Sequence, residues 1–189
     1  MNTPIQKNPS RRFLSVFFAS FLPFCALSLV SCASQSTHRG MTPAAVDTFK
    51  KFPHTVSLNV TGGKSTASTW TPQISDVEFK QALVDALNKS QIFSGVVEGN
   101  AGDYWLTVML FSLEQPVIGF SFTVKMETGW TLKRAADGVV VWQESIKSEY
   151  TATTGDAFAA VTRLRLATEG AARNNISQGL SKISKLGAI

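Results

Sequence analysis

The stretch FTVKMETGWTLKRAADGVVVWQESIKSEY, residues 122–150, decides the fold. Apolar and polar side chains alternate in both of its halves, which is typical of β-strands that bury one face. The four residues AADG at 135–138 separate the halves and are typical of a hairpin turn. The stretch therefore predicts two long antiparallel strands.

The apolar pattern also predicts the length of the turn. A two-residue turn would put the apolar faces of the two strands on opposite sides of the hairpin. A three-residue loop with Gly138 in the left-handed conformation puts Leu132 opposite Trp142 and Val124 opposite Tyr150. Because only this register buries one common face, we predict the three-residue loop.

Working outward, a strand is predicted from His54 to Thr61, and another from Tyr104 to Gln115 with apolar residues on both faces. The first strand of the hairpin is expected to begin at Phe120. Ser75 and Glu78 have the spacing of a capping box, in which each side chain bonds the backbone N–H of the other. A helix should follow them, with one apolar stripe formed by Phe79, Ala82, Leu83, Ala86 and Leu87.

A second helix is expected from about Ala157 to Leu186, with Phe158 at the start of its apolar face. Gly170 and Gly179 each lower helix propensity by about 1 kcal/mol relative to Ala. We therefore expect close packing, a bend or a break at one of them. Glu169 and Arg173 have the spacing of an ion pair on the helix surface.

The predicted fold class is α+β, with the order β-α-β-β-β-α. It forms two layers, a mainly antiparallel four-stranded sheet and two helices on one of its faces. Residues 54–189 are expected to form this single domain, and residues 32–53 a flexible tether that precedes it.

The first 31 residues are predicted to be a lipoprotein signal peptide. Three basic residues precede an uncharged apolar run that extends from Phe13 to Val30 and is interrupted by Pro23. The run ends in LVSC, which matches a bacterial lipobox and makes Cys32 the expected lipidation site. Ala33 and Ser34 follow, with no Asp beside the lipid, which favours sorting to the outer membrane. A retained membrane anchor and an ordinary signal peptide are the alternatives.

Composition excludes several classes of function. After the signal peptide the chain carries 15 basic and 13 acidic side chains, which does not indicate nucleic-acid binding. Cys25 would be removed with the signal peptide and Cys32 acylated, so the mature chain would have no free thiol for a structural zinc site. The stretch VTGGKST at 60–66 resembles the end of a phosphate-binding loop. The full motif needs another Gly five positions before Gly63, and that position is Leu58, so no nucleotide is expected. We predict no metal and no other cofactor.

No catalytic constellation is recognisable, and we expect no enzyme activity. His38 and His54 have no Cys nearby in the sequence and do not specify a triad with any Ser. The carboxylates are scattered. A pair of them able to hydrolyse glycosides stays open, because the sequence does not give the distance between carboxylates.

The candidate binding residues are Trp105, Met109 and Phe111. They alternate along one predicted strand, on the face that two helices would leave open. An exposed apolar patch of this kind marks an interface or a ligand groove. The alternative is that the loop with Trp70 and Pro72, or the tether, folds over it.

The lipobox, the polar tether, the helix FKQALVDALNKSQIF, the strand DYWLTVMLFSLEQP and a last helix with AARNNI together resemble small Gram-negative outer-membrane lipoproteins of the YajG-like type. The predicted arrangement is also similar to that of the lipopolysaccharide-assembly lipoprotein LptE. The sequence departs from the LptE pattern, since it lacks a Cys-Gly-Phe start at the lipidated Cys. The resemblance implies an acylated Cys32, a location on the periplasmic face of the outer membrane and no catalytic residues.

The sequence thus predicts a non-enzymatic, lipid-anchored interaction or assembly module of the periplasm, with an envelope protein or lipid as its partner. The alternative is a module that binds a lipid or glycan on its apolar sheet face. Oligomeric state is not specified by any pattern in the chain.

Overall fold

The computed structural model describes residues 35–64 and 71–187. Its elements are α1 His38–Met41, β1 Phe52–Thr61, α2 Asp76–Ser90, β2 Phe93–Val97, β3 Tyr104–Glu114, β4 Phe122–Arg134, β5 Val140–Ala152 and α3 Ala160–Ser184. The predicted lipidation site Cys32 and signal peptide lie outside the described residues. No helix in the described ranges has the length and apolarity needed to cross a membrane.

The α+β class is confirmed, but the sheet differs from the prediction. It has five strands in the order β2-β1-β3-β4-β5, and β1 runs parallel to both of its neighbours. The fifth strand is β2, a short edge strand that α2 connects to β1. A crossover through a helix returns the chain in the same direction, so this pairing is parallel and the sheet is mixed.

The predicted register of the hairpin is confirmed, with Leu132 opposite Trp142 and Val124 opposite Tyr150. Gly138 has a φ of +72°, the left-handed conformation that glycine adopts without strain. The turn itself is one residue longer than predicted. Residues 135–138 form it between Arg134 and Val139, and an irregularity in the pairing after Leu132 restores the register.

The stripe of α2 is buried as predicted, and Ser75 caps the helix by accepting a hydrogen bond from the Glu78 N–H at 3.2 Å. The reciprocal half of the capping box is replaced. The Glu78 carboxylate instead accepts from the backbone N–H of His38 and lies 3.0 Å from His38 Nδ1. These bonds hold the pKa of Glu78 below its usual value, the backbone N–H being the main cause and outweighing partial burial.

Residues 35–42, within the expected tether, pack against α2 and α3. Met41 is fully buried, and Thr37 donates to the Glu169 carboxylate from its N–H at 2.9 Å and from its hydroxyl at 3.1 Å. The side chain of Arg165 pairs with the same carboxylate at 3.1 Å. Glu169 is therefore buried and binds Thr37 and Arg165. The predicted surface ion pair between Glu169 and Arg173 is not formed. This part of the segment is held to the domain because its few apolar and polar groups find specific partners.

Close packing, one of the three outcomes expected at the glycines of the last helix, is observed at both. A Cβ added at Gly179 would lie 2.5 Å from the Trp130 ring, and one at Gly170 would lie 2.3 Å from the Tyr150 ring. The helix begins three residues later than predicted, at Ala160, and Phe158 is exposed in the preceding loop.

A buried polar cluster joins the same helix to the sheet. Asn175 accepts from the Thr128 hydroxyl at 2.6 Å and from the Trp130 indole N–H at 3.2 Å. Its amide donates to the Ile146 carbonyl at 3.0 Å and to the Ser148 hydroxyl at 3.2 Å. Because every member has partners, the cluster fixes the position of the helix without leaving a buried polar group unpaired.

Candidate functional site: the open face of the sheet

The three predicted binding residues lie together on the sheet face that the helices do not cover. They belong to β3, the central strand. Met109 and Phe111 are 45% and 57% exposed, and Trp105 is half-buried. We call these three residues the apolar strip. Large apolar side chains at the centre of a sheet are ordinarily buried, so their exposure marks this face as a candidate site.

Phe111 lies on the open face at a bulge in β3. Leu110 pairs with Thr128 and Ser112 pairs with Glu127, which leaves Phe111 as the extra residue. Its ring lies over Gly129 of β4, where an added Cβ would be 2.3 Å from the end of the ring. The missing side chain of Gly129 therefore provides the space that the ring occupies.

Trp105 is held more firmly than the rest of the strip. Its indole N–H donates to the Asn100 carbonyl at 3.1 Å, which fixes the ring against the loop of residues 98–103. A shallow groove beside the ring is lined in part by Ser57, Asn59 and Thr107. An aromatic ring next to hydroxyl and amide groups suits a ligand with both apolar and hydrogen-bonding surfaces.

Charged residues of both signs border the strip on β4 and β5. Lys147 lies 3.7 Å from Glu127, which also accepts a hydrogen bond from Ser145 at 2.7 Å. Lys125 and Glu149 face each other across the two strands. The open face thus has an apolar centre and a polar border, which is the general anatomy of a protein interface.

The described part of the tether does not cover the apolar strip. Residues 35–42 pack on the helices and not on the open face. Pro72 accepts from the Gln115 side chain beside the end of β3, and Trp70 lies outside the described residues.

Each of the two histidines lies beside a carboxylate. His38 bonds Glu78, and His54 lies 4.0 Å from Asp103. The described ranges contain no cluster of His, Cys, Asp and Glu that could hold a metal ion. The backbone N–H of Thr55 holds the pKa of Asp103 below its usual value, so this carboxylate acts as a charged cap of the loop.

A second exposed apolar region was not predicted as a site. Phe120 was expected in β4 and Phe158 in the last helix, but both lie in loops and are 89% and 97% exposed. Val117 and Ile118 of the same β3–β4 loop are exposed to a similar extent. We call loops 115–121 and 153–159 the apolar end. The run PVIGF between two strands was the available signal, since turns are ordinarily polar.

No family model matches the sequence, and no curated protein matches it. The structure is similar to that of a Xanthomonas campestris protein of the family model DUF330, with a TM-score of 0.56 and 12% identity over 79% of this chain and 91% of that one. A hypothetical protein of Chlamydia trachomatis matches with a TM-score of 0.51 and 7% identity, over 70% of this chain and 98% of that one. At these identities the similarity shows a shared fold.

A minor lipoprotein of Acinetobacter baumannii also matches, with a TM-score of 0.48 and 8% identity, over 69% of this chain and 91% of that one.

Proposed function

We propose that the protein is a non-enzymatic lipoprotein of the outer membrane, anchored through fatty acids on Cys32, whose domain binds an envelope protein through the open sheet face. The observation that carries the binding role is the apolar strip. Exposing Met109 and Phe111 leaves apolar area in water, and burying the exposed half of each would contribute roughly 1 kcal/mol. A partner that covers the strip would supply that burial.

The border of the strip supports a protein as the partner. Lys125, Glu127, Lys147 and Glu149 alternate in charge, so a partner with complementary charges would be oriented on the face. The carboxylates there already have cationic or hydroxyl neighbours, as Glu127 does, which supports binding in preference to hydrolysis. The lipobox and the absence of Asp after Cys32 support the outer-membrane location.

A lipid- or glycan-binding role, as in lipopolysaccharide assembly, is the second candidate. The groove beside Trp105 favours it, because Asn59 and Thr107 place polar groups next to an aromatic ring. We rank it second because Met109 and Phe111 lie outside that groove and would stay exposed.

Photo-crosslinking in intact cells tests both roles. A photoreactive amino acid at position 111 should give a discrete adduct, and the same residue at position 77 should give much less. Val77 is a suitable control because it is an apolar residue that is 75% exposed, and it lies on α2, which covers the opposite face of the sheet. An adduct with the mass of a protein supports the first role, and one with the mass of a glycolipid supports the second. Equal adducts at both positions, or none, would contradict a binding role for the strip.

A further inference from the structure

The two loops of the apolar end lie side by side. Phe122 at the start of β4 pairs with Ala152 at the end of β5, so the loop before β4 and the loop after β5 leave the sheet at the same end. Arg163 joins them. Its Nη1 donates to the carbonyls of Ala157 at 2.9 Å and Phe158 at 2.5 Å, and its guanidinium lies 5.4 Å from the centroid of the Phe122 ring.

The described chain begins beside the same end. The Ser36 N–H donates to the Gln73 carbonyl at 3.3 Å, while Gln115, the first residue of the β3–β4 loop, donates to the neighbouring Pro72 carbonyl at 2.6 Å. Ser36 and Gln115 thus contact adjacent residues of one loop.

A second pair of contacts also places the N-terminal segment next to Gln115. The Thr37 N–H bonds Glu169 at 2.9 Å, and the Gln115 side chain bonds the preceding residue Thr168 at 2.9 Å. Because both pairs of partners are sequence neighbours, the N-terminal segment enters the domain next to the base of the β3–β4 loop.

We propose that the apolar end inserts into the surface of the bilayer that holds the lipid on Cys32. This inference rests on the proposed lipidation. Gln35 follows Cys32 by only three positions, so an extended chain lets the domain stand at most about 10 Å from its anchor. An anchor this short, attached beside the apolar end, keeps that end at the membrane.

The chemistry of the two loops fits a bilayer. Residues 115–121 carry no charged side chain, and residues 153–159 carry only Asp156. The Asp156 carboxylate accepts from the N–H and the hydroxyl of Thr153 at 2.7 and 2.9 Å, so its charge is bonded inside the loop. Exposed Val, Ile and Phe at such tips can enter the boundary between headgroups and acyl chains, which lies about 5–10 Å deep.

Insertion at this end would also set the direction of the domain. The thirteen residues of β4 extend about 40 Å away from the apolar end. The hairpin turn at residues 135–138 would then point away from the membrane. The open face would lie roughly perpendicular to the bilayer surface, where a partner can reach it.

Environment-sensitive fluorescence on the lipidated, mature full chain tests this inference. With Cys32 acylated and Cys25 removed with the signal peptide, the mature chain has no other thiol. Single probes can therefore be attached at Ile118→Cys and Phe158→Cys, with Val139→Cys as the matched control at the opposite end. The vesicles contain phosphatidylethanolamine with a minority of phosphatidylglycerol, with and without spin-labelled lipids.

We expect the emission at positions 118 and 158 to shift to shorter wavelength on reconstitution and to be quenched by the spin-labelled lipids, while position 139 changes in neither respect. Equal behaviour at all three positions would overturn the inference. A shift at 118 and 158 that needs no vesicles and grows with protein concentration would also overturn it, in favour of a second copy. The mass of the N-terminal peptide reports lipidation separately, so loss of the anchor is distinguishable from failure of insertion.

Discussion

Both faces of the sheet place an aromatic ring where a glycine has no side chain, but they do so with different consequences. On the covered face the Trp130 ring contacts Gly179 of α3 and is fully buried. On the open face the Phe111 ring lies over Gly129 and stays 57% exposed. The first ring cannot move without displacing a helix, whereas the second can turn toward water. The ring on the covered face thus contributes to stability, whereas the ring on the open face is free to change its position.

The largest effect is expected from Gly179→Ala. The helix propensity of Ala alone would stabilise the helix by about 1 kcal/mol. The new Cβ would meet the immobile Trp130 ring at 2.5 Å, so we expect a net loss of about 2 kcal/mol in the free energy of unfolding. Chemical denaturation measures it. Gly95→Ala is the control, since a Cβ there meets nothing within 4 Å. Equal stability of the two variants would contradict the contrast between the faces.

Acid is expected to have an intermediate effect, on how firmly residues 35–42 are held against α2 and α3. The pKa of Glu78 lies below its ordinary value of 4.5 because the charged carboxylate accepts the His38 N–H. Its stabilising contribution is complete above about pH 4.5 and is lost as the pH falls through the lower, folded-state pKa. Protection of the Met41 and Thr42 amides from hydrogen exchange should therefore fall in that range. In Glu78→Gln this protection should be lower at neutral pH and nearly independent of pH; an unchanged acid response in that variant would show that another group is responsible.

The smallest effect is expected from Gly129→Ala. The added Cβ would meet only the far end of the Phe111 ring, which can swing into solvent. We expect the free energy of unfolding to change by no more than about 0.5 kcal/mol, as for other surface positions. The crosslinking yield at position 111 should change nonetheless, because the ring loses its place on β4. A loss as large as that of Gly179→Ala would mean that the Phe111 ring is fixed, and the comparison of the two faces would fail.

Local patterns were sufficient for much of the fold. The register of the hairpin follows from burying Leu132 and Trp142 on one side, and the stripe of α2 follows from its spacing, so both could be predicted. Val96 and Val97 indicate a short strand, but the place of β2 in the sheet could not be predicted, because its pairing with β1 depends on where α2 returns the chain. The docking of Thr37 on Glu169 joins residues 132 apart in sequence, which no local pattern encodes.

The candidate site was predictable to a similar degree. The alternation along β3 placed Trp105, Met109 and Phe111 on one face without any knowledge of their neighbours. The bulge at Phe111 and its contact with Gly129 depend on the pairing of two strands. Phe120 and Phe158 were assigned to buried faces because their spacing continues the patterns of β4 and α3, and spacing does not show where an element ends.

The contact between Thr37 and Glu169 has a consequence for the order in which the molecule forms. A chain synthesised from its N-terminus exposes residues 35–42 first, yet their docking site on α3 is among the last parts to emerge. Closing so long a loop is slow relative to forming a helix or a hairpin. Residues 35–42 therefore stay undocked until α3 has been made, and they bind the domain only in the last steps of folding.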